Sequence, residues 1–196
     1  MLRLSPSIDP HTHEKTTTGI LDSKFGFSIE TGDAESAIKR ALAASNLDLV
    51  DIHFHLGSPI FELEPYSIAI DTVLTFLSQI KQVRLDLREF SPGGGFAIGY
   101  LHNQLPPPIA SYAEVITGAL KTRASDLSFG EPILTIEPGR SIVGRAGVAV
   151  YTVGGIKDIP TVRKYVSLDG GMGDNIRPAL YDSKYEAVVA LSLIHI

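Results

Sequence analysis

Apolar and polar positions alternate between two rhythms along the first three quarters of the chain. From Asp33, read as an N-cap, Ala37, Ile38, Ala41 and Leu42 fall on one face of a helix running to about Asn46. A second helical stripe, from about Glu64, carries Ile70, Val73, Leu74, Leu77 and Ile80, and a third, after the Pro106-Pro107-Pro108 stop, carries Ile109, Tyr112, Ala113, Ile116 and Leu120. Between the stripes lie short extended runs: residues 1–5 closed by Pro6, Leu49–His55 ended by Gly57, the alternating Val83–Phe90, and Ile133-Leu134-Thr135-Ile136. The turn-rich stretch Asp9 to Gly26 reads as one long loop.

Four strands alternating with three helices form a βαβ series, which means parallel strands joined by right-handed crossovers. All strand C-termini then lie on one rim. Arg3-x-Ser5, His53-x-His55-x-Gly57-Ser58, Gly93-Gly94-Gly95 and Glu137-Pro138-Gly139-Arg140 are therefore expected to converge there. The Ile133 run reads as a buried strand that delivers a carboxylate, a rigid turn and a guanidinium to that rim.

After Gly147 the helical rhythm stops. Val148–Val153, Tyr165–Leu168 and Glu186–Val189 are β-type runs divided by Gly154-Gly155, Gly170-Gly171 and Arg177-Pro178, so a boundary near Gly147 is expected, with an all-β region beyond it. The organisation read from the pattern is residues 1–147, residues 148–190, and a distinct apolar tail at 191–196.

Composition narrows the classes of function. A net charge of −5 without a dense Lys/Arg cluster argues against a nucleic-acid surface. Zero cysteines exclude disulfides, thiolate metal sites and cysteine nucleophiles. No apolar run reaches the ~20 residues a bilayer span needs, and the first residues lack the order of a secretion signal, so no membrane partner and a cytoplasmic setting are expected.

The rim residues can be read chemically. Three consecutive glycines let backbone N–H groups approach an anion, or simply make a turn. His53 and His55, at i and i+2, share one side of a strand; they can stack on a flat ligand, pack in a core, or join His11, His13 or Asp169 around a metal as in barrel hydrolases. Glu137 can keep a ring nitrogen protonated, and Arg140 matches a phosphate or carboxylate with paired donors. Arg177 and Tyr181, four residues apart around a proline, suggest a second anion contact, whereas Lys24 has no apolar surround to activate it as a nucleophile.

The motifs His53-Phe54-His55-Leu56-Gly57-Ser58, Ser91-Pro92-Gly93-Gly94-Gly95-Phe96, Glu137-Pro138-Gly139-Arg140-Ser141, Asp169-Gly170-Gly171-Met172 and Arg177-Pro178-Ala179-Leu180-Tyr181 occur in the order seen in diaminopimelate decarboxylases. The Asp9–His13 and Ser23–Gly26 loop is similar to that family too. The resemblance implies the C-terminal half of an alanine-racemase-like (β/α)8 barrel, followed by the start of a β domain, with pyridoxal phosphate at the barrel mouth. It implies decarboxylation of meso-diaminopimelate to L-lysine, and a homodimer in the whole enzyme. By the same resemblance His55 stacks on the cofactor ring, Ser58 and Gly93, Gly94 and Gly95 hold the phosphate, and Glu137 faces the pyridine nitrogen. Gly139 and Arg140 lie against the cofactor, while Arg140, Arg177 and Tyr181 take the substrate carboxylates. Lys24 becomes a structural loop residue. The family's cofactor-linking lysine falls upstream of Met1 and its Cys-Glu pair downstream of Ile196, so the chain reads as an internal fragment, inactive alone.

Overall fold

The structure, a computed structural model, describes residues 1–10, 18–19, 21–80 and 85–190. They form two compact units: residues 1–98 with 106–144, and residues 99–105 with those from Arg145 on.

The first unit runs β1 (Leu2–Ser5), β2 (Phe27–Ser28), α1 (Asp33–Ala43), β3 (Asp51–His53), α2 (Glu64–Gln79), β4 (Glu89–Ser91), α3 (Ile109–Asp126), β5 (Ile133–Leu134) and α4 (Gly139–Val143). Its strands make one parallel sheet in the order β2-β1-β3-β4-β5. The expected parallel series is present, and β2, immediately after the stretch read as a loop, adds an edge strand beside β1.

Strand register explains how one face became a core and the other a site. Leu2 pairs with Ile52, Ile52 with Phe90, and Phe90 is followed across the sheet by Leu134, so this row is apolar throughout. One residue further along, Arg3, His53 and Ser91 form the next row. Successive side chains point to opposite faces, so the first row packs under the helices and the second faces away from them. Ile52, Phe54 and Phe90 are fully buried with Ile38, Ile70, Leu74 and Ile116 in the resulting core.

The helices follow the predicted stripes with local differences. Asp33 is the first helical residue rather than the cap; Gly32 takes the cap position at φ 82°, and the Asp33 carboxylate accepts a 2.7 Å bond from Thr31 Oγ1. In α2 the predicted Ile70, Val73, Leu74 and Leu77 are buried, joined by Tyr66 and Ala69. In α3 the buried stripe is the narrower Tyr112, Ile116, Leu120 and Ala124, and Ile109 and Ala113 are exposed, because α3 packs along one i, i+4 row.

Several readings need correction. Of the Leu49–His55 run only Asp51–His53 is strand, and of the described part of the Val83–Phe90 run only Glu89 and Phe90 are, because only those residues find a ladder partner on a neighbouring strand. The Ile133 run is not a buried strand: β5 is two residues long and lies at the sheet edge, leaving Ile133 68% exposed. Glu137-Pro138-Gly139-Arg140 is not a turn either, since Gly139 and Arg140 open α4. Residues 81–84 and the pair His11 and His13 lie outside the described residues.

The second unit contains β6 (Val153–Ile159), β7 (Arg163–Leu168) and the short α5 (Arg177–Tyr181). β6 and β7 pair antiparallel across a turn at residues 160–162. Gly154-Gly155, read as a divider, sits inside β6 where the register shifts, and residues 148–152 and 186–189 are not strands. Residues 99–105, which follow the barrel pattern in sequence, belong here because of distant partners: the Tyr100 and Tyr185 rings lie 5.4 Å apart and Glu186 accepts a 2.7 Å bond from the His102 amide. Asp169, at the base of the hairpin, accepts a bond from the Thr152 amide and is held below the usual carboxylate range by it.

Candidate active site

The site is built where β3, β4 and β5 end. Beyond β4 the chain enters Gly93-Gly94-Gly95, and each glycine is required by a neighbouring backbone. A Cβ on Gly93, whose φ is +74°, would sit 2.6 Å from the Phe54 carbonyl oxygen and 2.7 Å from His55 Nδ1; one on Gly94 would run into the Glu137 carbonyl, and one on Gly95 into that of Gly57. The run is therefore the seam that joins the end of β3 to the end of β5, not a flexible turn.

Hydrogen bonds fasten that seam. Glu137 N–H donates to the Gly93 carbonyl at 2.8 Å and Ile60 N–H to that of Gly95 at 2.8 Å. Tyr66 on α2 donates its hydroxyl to the Gly94 carbonyl at 2.7 Å, and burial pushes the phenol's pKa well up, so it remains a donor. Tyr112 on α3 ties two further segments, donating to the Ile60 carbonyl at 2.5 Å and accepting from the Ala97 amide at 3.2 Å.

His55 is held from both sides. Its Nδ1 accepts the Gly94 N–H at 3.2 Å, which puts the ring proton on Nε2. Its carbonyl accepts a 2.6 Å bond from Thr18 Oγ1, and the Leu56 carbonyl accepts from the Thr18 and Gly19 amides. Burial and then the positive charge of Arg3 lower its pKa, so the ring is neutral. His53, one strand position earlier on the same face, is 5% exposed. Its Nε2 lies 3.3 Å from Glu137 Oε2, and burial outweighs that carboxylate in lowering its pKa.

The structure thus brings His53, His55, Gly93, Gly94, Gly95 and Glu137 together as the rim argument expects. Ser58 lies in the following loop, ahead of a cis proline at Pro59, and half-buried Arg140 stands in the first turn of α4. Arg177 and Tyr181 belong to the second unit, where the guanidinium lies 5.2 Å from the Tyr181 ring centroid. The Gly93 and Gly94 amides donate to Ser91 Oγ and His55 Nδ1, so the run also serves as a scaffold for His55.

Four contributors carry no motif signal. Arg3 reaches the rim from β1, its charge felt at both His55 and Glu137, and only its strand-end position announces it. Thr18, Tyr66 and Tyr112 act through single hydroxyls on backbone carbonyls, which no spacing in the sequence reveals.

Residues 1–144 match the family model described as pyridoxal-dependent decarboxylase, pyridoxal binding domain. The chain belongs to the pyridoxal-dependent decarboxylases. Diaminopimelate decarboxylase of Bacillus subtilis is 43% identical over 191 residues, 97% of this chain and 44% of that protein. The Staphylococcus aureus enzyme of the same name is 44% identical over 189 residues. The crystal structure of diaminopimelate decarboxylase from Helicobacter pylori complexed with L-lysine superposes with a TM-score of 0.81 at 32% identity, over 94% of this chain and 43% of that one. Lysine/ornithine decarboxylase from Vibrio vulnificus complexed with cadaverine follows with a TM-score of 0.69 at 28% identity. The chain spans about 44% of the length of the curated relatives it matches. Within this decarboxylase family the open parallel sheet is an arc of a (β/α)8-type barrel, the expected fold class. The hydrolase alternative is not favoured, since the two histidine rings are directed to Glu137 and to the Gly94 amide rather than to a shared point.

Proposed function

We propose that the full-length gene product is a pyridoxal-phosphate-dependent diaminopimelate decarboxylase, acting in the cytoplasm as a homodimer, and that residues 1–144 supply part of its cofactor site. The observation that carries the reading is the seam at the strand ends, which sets a neutral imidazole and a half-exposed carboxylate on either side of the Gly93–Gly95 run. The identity of more than 40% to enzymes of that name supports the substrate.

The residues fit such a cofactor. A neutral His55, fixed through Nδ1, offers a ring face for stacking without adding charge. Glu137, anchored by its backbone to Gly93, offers a carboxylate to a protonated ring nitrogen. When bound, pyridoxal phosphate supplies a pyridinium that accepts the electron pair left as carbon dioxide departs. The chain's own residues then have distinct tasks. Glu137 would hold the proton on the ring nitrogen, His55 would set the ring plane, Ser58 with Gly93, Gly94 and Gly95 would hold the phosphate, and Gly139 and Arg140 would contact the cofactor. Arg140, Arg177 and Tyr181 orient the substrate carboxylates. At the D-centre of meso-diaminopimelate the bond to the carboxylate breaks and a proton takes its place, leaving L-lysine.

The test is direct. The purified full-length product should acquire an absorbance band near the visible edge on addition of pyridoxal phosphate, and should release lysine and carbon dioxide in equal amounts from meso-diaminopimelate. Failure to bind the cofactor, or equal turnover of ornithine, counts against it.

A further inference from the structure

His53 is a strange residue to bury. It is 5% exposed on the inner face of β3, between Arg3 and Ser91 in the strand register, and its Nδ1 is a buried nitrogen with no hydrogen-bond partner among the described residues. Leaving a buried polar atom unpaired is costly, so the ring is not there to complete a packed core. Among the described residues its one directed contact is Nε2 to Glu137 Oε2 at 3.3 Å.

The state of the ring decides what that contact does. A carboxylate accepts only, so Nε2 carries the proton and Nδ1 the lone pair. A second proton would have to sit on the unpartnered Nδ1, in line with burial lowering the pKa. The other charged groups at this place are Arg3 and Asp51, one on the adjoining strand and one two residues back on β3, and they oppose one another. A neutral donor fixes one carboxylate oxygen without cancelling the negative charge. Glu137 needs such a fixing, because its side chain is 52% exposed and follows a strand only two residues long.

Resting on the cofactor reading above, we propose that His53 is the positioning residue of Glu137: its Nε2–H holds Oε2 so that the other oxygen of the still-charged carboxylate is presented to a cofactor ring nitrogen. His53 touches neither substrate nor cofactor in this role. Its ligand is the carboxylate, and its effect is on where a proton is kept.

The experiment uses the full-length holoenzyme with ring-nitrogen-labelled pyridoxal phosphate, read by nitrogen NMR alongside steady-state kinetics. Glutamine extends its amide about as far as Nε2, whereas asparagine stops short, so H53Q keeps the donor and H53N loses it. H53N is expected to move the ring-nitrogen signal toward the unprotonated position and lower kcat about ten- to a hundredfold, the worth of a hydrogen bond to a charged group, with KM little changed. H53Q is expected to restore both. H53N and H53Q behaving alike, or H53N retaining the wild-type signal, overturns the proposal while leaving the cofactor reading intact. Wild-type protein without bound cofactor, or E137Q with an unshifted signal, overturns the cofactor reading and the proposal together. Cofactor absorbance and melting temperature of each variant separate a folding failure from these outcomes, and H53L, apolar and similar in volume, supplies a second donor-free variant if H53N does not fold.

Discussion

At the residue scale the site works by removing freedom from a few polar groups. His53 and His55 sit side by side on the inner face with pKa values below the ordinary 6.5, chiefly because burial disfavours the imidazolium. In the unfolded chain both return to about 6.5. Just below that pH the unfolded state binds more protons, so stability is complete above it and is lost as pH falls toward the folded-state values. Asp51, raised by burial, acts in the opposite sense at more acid pH. A urea midpoint that is level above about pH 7 and declines as the pH falls below about 6.5 is expected. The H53Q/H55Q pair should flatten that decline, and an unchanged slope in the double variant would show that other groups set it.

At the element scale the seam matters more than any strand. β3 and β4 are three residues each and β5 is two, so the ladder alone is short. The glycine run extends it by weaving between Phe54–Gly57 and Glu137. Replacing Gly94 with alanine puts a methyl group into the Glu137 carbonyl, whose backbone atoms cannot be moved aside by a rotamer change. A loss of about 2–4 kcal/mol is expected from denaturant unfolding, with lowered cofactor binding. Gly118 makes the opposite case: it lies in α3 with nothing within 4 Å of an added Cβ. Gly118→Ala should stabilise by about 0.5–1 kcal/mol through helix propensity. Equal effects of the two substitutions would refute the seam.

At the scale of the whole molecule the apolar core of the described residues lies in the first unit. Every residue of the core cluster falls within residues 1–98 or 106–144, whereas most residues of β6 and β7 are exposed. Local stability follows buried apolar contacts. Amide exchange of the 196-residue chain should therefore be slowest in α2 and β3 and fast throughout 145–190, the antiparallel hairpin included. Protection of β6 and β7 equal to that of α2 would contradict this.

How much of this was legible depended on the range of the interaction involved. Ile70, Val73, Leu74 and Leu77 announced α2 because helix formation and burial act over neighbouring turns, and a periodic stripe records both. The alternation of strands and helices likewise announced a parallel sheet, and with it one rim carrying His53, His55, the glycines and Glu137. Those are matters of period and chain direction, and the sequence by itself determined them. The edge position of β5, the attachment of 99–105 to Tyr185 and Glu186, and the extra strand β2 were not legible, because each rests on partners distant in the chain. The bond from His53 to Glu137 spans 84 residues, and Tyr66 reaches Gly94 across 28. Only the tertiary structure decided which histidine serves the glycines and which the carboxylate, since a hydrogen bond is settled by a few tenths of an ångström in space and leaves no period along the chain.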